Sequence, residues 1–146
     1  MRENIRRLAR RGSAFGRRRE GAATVEFALV APLFILLLAG ILSYGGYLWT
    51  AHSVQQLAND AARAAIAGLD DPERLSLARE AVSETAPNLG PFDPLRTRVT
   101  ATRDGQTFTV RVVYDAGNSA FWAMEGIVPM PPREVARAAT IRLGGF

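Results

Sequence analysis

Apolar and polar positions fall into distinct rhythms along this 146-residue chain. The first twenty residues are polar and basic, with no sustained apolar period. From Phe27 to Trp49 the chain reads FALVAPLFILLLAGILSYGGYLW, a run of 23 residues that is apolar on every side and carries no charge. After Trp49 the rhythm becomes helical. Val54, Leu57, Ala58, Ala61 and Ala65 share one face, extended by Ile66 and Leu69, while Gln55, Gln56, Asn59, Asp60 and Arg63 share the other. The pattern predicts one long helix, apolar all round in its first half and amphipathic in its second, with Gly68 as its stop.

A second helix is predicted after Asp71. This residue suits the N-cap, Pro72 the first helical position and Glu73 the positive end of the helix dipole. Leu75, Leu77, Ala78, Ala81 and Val82 give it a modest apolar face, Pro87 ends it, and Gly90, Pro91 and Pro94 form a turn-rich linker. The rhythm then shortens to two. RTRVTATR-DG-QTFTVRVVY reads as a hairpin, with Asp104-Gly105 suited to a two-residue type I′ turn. That register sets Ala101 opposite Phe108 and Val99 opposite Val110, with Thr100–Thr109 and Thr102–Thr107 on the other side. A third strand, EVARAATIRL, offers Val135, Ala139, Ile141 and Leu143 on one face and completes a three-stranded antiparallel sheet. The expected class is α+β.

Length decides what the uncharged run does. At 1.5 Å per residue its 23 positions reach roughly 34 Å, a little more than a hydrocarbon core of about 30 Å. Twelve of them are Leu, Ile, Val or Phe, which on an insertion scale contribute roughly −4 to −7 kcal/mol. Pro32, Ser43, Gly45 and Gly46 reduce this without reversing its sign. Tyr44, Tyr47 and Trp49 gather at the distal end, where amphipathic rings favour an interface. The run is long enough to span a membrane. A cleaved secretory signal fits less well, because its apolar core is shorter and ends in small residues rather than aromatics.

Charge sets the expected orientation. Of the 18 basic residues, all of them arginine, eight precede the span: Arg2, Arg6, Arg7, Arg10, Arg11, Arg17, Arg18 and Arg19. Only Arg63 follows within twenty residues. The positive-inside rule then places the N-terminus in the cytoplasm and the C-terminal domain periplasmic or extracellular. The net charge of +4 is thus a local tail. With only Phe15 available for base stacking, it gives no basis for a nucleic-acid partner. Arg10-Arg11 has no cofactor motif behind it that would need twin-arginine export. No cysteine is present, so the exported part must hold together by packing without disulfides.

One residue breaks the apolar pattern. Glu26 stands at the lip of the span, five residues after Gly21, in the string RRRE-G-AATVEFALVAPLF. An ionisable group there either snorkels to the interface or has a partner. The string resembles the processing site of type IVb prepilins, and Gly21 to Gly68 resembles the TadE-like family of tight-adherence (Flp) pilus proteins through GAATVEFALVAPLFILLLAGI and LANDAARAAIAG. The resemblance implies cleavage by a prepilin peptidase between Gly21 and Ala22, with Glu26 at the fifth mature position and Phe27 as the aromatic after it. It also implies a pilin-like fold, in which a long N-terminal transmembrane helix packs with a short helix on a small antiparallel sheet. The implied partners are the lipid bilayer, the peptidase, other pilin or pseudopilin subunits and an inner-membrane assembly platform. Major Flp pilins usually have tyrosine where Phe27 stands and are much shorter. The implied role is therefore a minor pilin or pseudopilin in which Glu26 pairs with a neighbour's new amino group.

The expected organisation is a basic cytoplasmic leader at 1–21, a transmembrane helix at 22–50, a helix extension at 51–69 and an exported domain at 70–146. Small residues at Ala31, Ala39, Gly40, Gly45 and Gly46 permit close helix approach without a clean GxxxG, and Pro32 is expected to kink or loosen a turn. Between Ala116 and Pro132, Phe121, Trp122, Met124, Ile127 and Val128 either roof the core or form a partner patch centred on Phe121 and Trp122. Catalytic residues, a metal site and a cofactor are not expected. His52 is the sole histidine, Glu80 and Glu84 are one turn apart on a solvated helix, and no phosphate-binding glycine loop occurs. The competing role is an uncleaved, signal-anchored binding or sensory module.

Overall fold

A computed structural model describes residues 3–90 and 92–144, with the side chains of 3–20 and 123 outside the description. The leader arginines therefore lie outside the described side chains, and Pro91 of the linker lies outside the described residues. Helix α1 runs Glu3–Ala65, α2 Asp71–Thr85, and strands β1, β2 and β3 cover Thr97–Asp104, Thr107–Asp115 and Glu134–Arg142. The chain forms two compact units, Met1–Ile41 and Leu42–Phe146.

In the first unit the described part of α1 is bare. Phe27, Leu29, Leu33 and Ile35 are exposed, as are Val25, Val30, Phe34 and Leu37. A helix that shows apolar side chains around most of its circumference is adapted to lipid or to other helices. Pro32 sits inside α1, which continues through it.

The second unit is the expected α+β domain. It takes in the end of α1 from Leu42, so the unit begins well before residue 70. From α1 come Val54, Leu57, Ala58, Ala61, Ala62 and Ala65; from α2 come Ala78 and Val82. The sheet has the order β1-β2-β3, all antiparallel, and gives Val99, Phe108, Val110, Val112, Tyr114 and Val135 to the same core. Along β2 burial alternates residue by residue, which is the period-two signature of a sheet with one covered face. Ala139, Ile141 and Leu143 pack against this core as β3 was expected to provide. On the opposite face Thr109 and Thr140 bring their hydroxyls to 3.0 Å.

Three local expectations need correction. The hairpin register differs by two residues: Ala101 pairs with Val110, Val99 with Val112 and Thr102 with Thr109. Asp104 stays in β1 opposite Thr107, and the turn is Gly105-Gln106. A type I′ turn on Asp104-Gly105 would require positive φ at aspartate. The chain instead confines positive φ to Gly105 (57°), the first central residue, as in a II′ turn. Because the slip is two residues, the apolar face is unchanged. The N-cap of α2 is Asp70, not Asp71: it is extended, and its carboxylate accepts from Glu73 N at 2.8 Å. The Glu73 carboxylate in turn accepts from Leu69 N at 2.7 Å, a reciprocal arrangement close to a capping box.

Finally, α1 stops at Ala65, short of Gly68, and Ile66 and Leu69 are exposed rather than on the core face. The chain tightens there through bonds three residues back, Ile66 to Arg63 O and Ala67 to Ala64 O, each 3.2 Å. Gly68 then passes the start of α2 so closely that a Cβ would lie 2.7 Å from Arg74 N.

Candidate processing and assembly site

Gly21, Ala22, Glu26 and Phe27 lie on one helical segment of α1, and all four are exposed. Ala22 and Glu26 are one turn apart on the same face. Around Gly21, apart from the helix's own backbone, nothing among the described residues lies within 4 Å of where a Cβ would stand. Glycine weakens a helix interior by about 1 kcal/mol relative to alanine, so this is a point where α1 opens at low cost. The segment presents an accessible peptide bond, an acidic side chain one turn further on and an aromatic beside it.

Phe121 and Trp122 lie in a short 3-10 helix, Ala120–Met124. Trp122 is buried and Phe121 is half-buried against the core, with their ring centroids 6.2 Å apart. Both rings thus roof the second unit; the exposed apolar groups beside them are Met124 and Ile127. Phe121 also touches α1, since a Cβ added at Gly46 would stand 2.7 Å from its Cδ1. The Arg133 guanidinium lies 5.6 Å from the Trp122 ring centroid and donates to both Glu125 carboxylate oxygens, at 2.7 and 2.5 Å.

That hydrogen bond, reinforced by the Arg133 charge, holds the Glu125 carboxyl below its ordinary value near 4.5. A depressed folded-state value stabilises the fold above the ordinary carboxylate range, and this contribution disappears as pH falls through the folded value. Acidification below about pH 4.5 is therefore expected to change the fluorescence of Trp122 as the clamp releases. Glu125→Gln, which carries no charge to hold the clamp at any pH, should remove that step and show the acid-side fluorescence already at neutral pH.

Sequence reasoning did not find a third cluster. Trp49, expected only as an interface anchor, packs its ring 6.0 Å from Phe92, which lies 4.5 Å from Tyr114. Gly90, with φ of 112°, passes so close to Trp49 that no side chain fits between them. These rings wall a cleft of about 410 Å³ that also meets Thr50, Arg96 and Asp115. No short-range signal marks it, because its residues come from three separate segments. His52 is exposed on α1.

The fold and this segment define a class: an α+β domain carried on a helix long and apolar enough to cross a membrane, consistent with a single-pass membrane protein. Residues 21–63 match the family model described as TadE-like protein. The match begins at Gly21 and ends two residues before the end of α1, and it points to a component associated with the Tad pilus. No curated protein and no solved structure gives a match to the chain.

Proposed function

We propose that this chain is a minor pilin or pseudopilin of a tight-adherence type IVb pilus assembly or secretion system, cut by a prepilin peptidase between Gly21 and Ala22. One observation carries the reading: the TadE-like segment starts at the glycine and excludes the basic stretch before it. A leader that is removed is not part of the working protein, and a shared segment that begins at Gly21, one residue before the mature start at Ala22, supports a cut there. The exposed Gly21, Glu26 and Phe27, with a bare apolar helix behind them, support the same reading. In it the protein sits in the inner membrane with its second unit outside, and it works through packing against other pilin subunits and the assembly platform. No catalytic step is assigned to it.

The competing reading, an uncleaved anchored binding or sensory module, draws on the aromatic-walled cleft as a ligand pocket. Intact-mass measurement on protein recovered from its native cells separates the two. Loss of residues 1–21 and a start at Ala22 is expected. A full-length mass while the peptidase is active would overturn the pilin reading.

A further inference from the structure

Two parts of the second unit reach back to the last turns of the apolar run. Tyr44 donates its hydroxyl to Pro129 O at 2.8 Å, and Phe121 lies against Gly46. The 124–132 loop is therefore held beside Tyr44–Gly46. It is remote from the opposite end of the unit, where Arg103 of the hairpin meets Asp71 at 3.1 Å. Tyr44 precedes Trp49 by five residues, about 7.5 Å along the helix axis, on the lipid side of the aromatic end. A loop fixed at that height stands where a bilayer begins.

Its chemistry suits that position. Ile127 is 66% exposed and Met124 36% exposed. Pro129, Pro131 and Pro132 have no N–H to leave unpaired. The N–H groups of Ile127 and Val128 both donate to Met124 O, at 3.0 and 3.1 Å. The charges on the loop are bound to each other, Glu125 to Arg133. A loop with apolar Ile127 and Met124 exposed, its charges paired and two of its N–H groups bonded within it suits the interfacial edge of a bilayer.

We propose that the 124–132 loop is a membrane-interface anchor, with Ile127 and Met124 seated among the acyl chains on the side where α1 emerges. The partner is the bilayer itself. The inference rests on α1 spanning a membrane and is independent of leader cleavage.

The absence of cysteine makes the test direct. Single substitutions Ile127→Cys and Met124→Cys in the full chain carry a polarity-sensitive fluorophore. Leu33→Cys in the apolar run and the exposed Leu69→Cys serve as references. The proteins are reconstituted into phosphatidylcholine–phosphatidylglycerol vesicles. These contain lipids with a nitroxide near the headgroup end of the acyl chain, and iodide serves as the aqueous quencher. The Ile127 and Met124 labels are expected to be quenched several-fold more by the nitroxide than the Leu69 label, and several-fold less by iodide. Labels that behave like Leu69 would overturn the inference. So would labels shielded from both quenchers, which would mean that another protein covers the loop. A Leu33 label open to iodide would remove the span and the anchor together, whereas a full-length mass would leave the anchor standing.

Discussion

A Phe108→Ala chain is expected to lose about 3–5 kcal/mol of stability in the second unit, a large part of the 5–15 kcal/mol typical of a domain. Phe108 is 2% exposed and lies on the central strand, opposite Ile141 of β3. The reason for so large an effect is an asymmetry in the core. Beyond Val54 and Leu57, the side of α1 that faces it is alanine (Ala58, Ala61, Ala62 and Ala65), and Phe108 is the largest fully buried side chain, set on the sheet with Val110, Val112 and Val135. Short side chains on a helix cannot swing into a hole left opposite them, and a cavity that cannot collapse carries the full penalty. No disulfide is present to limit the unfolded state. Thermal unfolding of the full chain in detergent, followed by near-ultraviolet circular dichroism, should show the midpoint falling by about 15 °C or more. Phe108→Leu should cost much less than half of that. A midpoint within a few degrees of the parent would mean that this helix–sheet core is not what holds the unit together.

The same asymmetry explains what the residue pattern revealed and what it hid. Periodicity found both helices and all three strands, because each rests on local alternation that burial then enforces. It did not fix the hairpin register. Asp104-Gly105 and Gly105-Gln106 both offer a glycine to a two-residue turn, and both registers keep Val99, Ala101, Val110 and Val112 on one face. Asp70 and Asp71 were likewise equivalent as caps by composition; the extended backbone at Asp70 selects it. The candidate processing string was legible because Gly21, Glu26 and Phe27 fall within seven consecutive residues. The fate of the aromatics was not. The burial of Trp122 and the approach of the loop to Tyr44 depend on partners as much as 85 residues apart, and the Trp49–Phe92–Tyr114 stack joins three segments with no common rhythm.

Glu26→Gln is expected to leave leader removal intact and to weaken association with pilin partners by about two to three orders of magnitude. Removing one partner of a buried ion pair leaves the other charge unpaired, at a cost of about 3–5 kcal/mol. Glutamine keeps the shape of Glu26 and removes the charge, so it reads the pairing alone; Glu26→Asp should retain part of the effect with a shortened reach. Co-purification with pilin partners measures association, and intact mass on the same samples measures cleavage. Since Ala22 and Glu26 of one chain are a single turn apart, the new amine also has a carboxylate within its own helix. Were that internal contact the whole story, the glutamine variant would be cut and would associate as the parent does. Loss of association with cleavage preserved is the outcome that assigns the carboxylate to the neighbouring subunit and gives the helices their axial register.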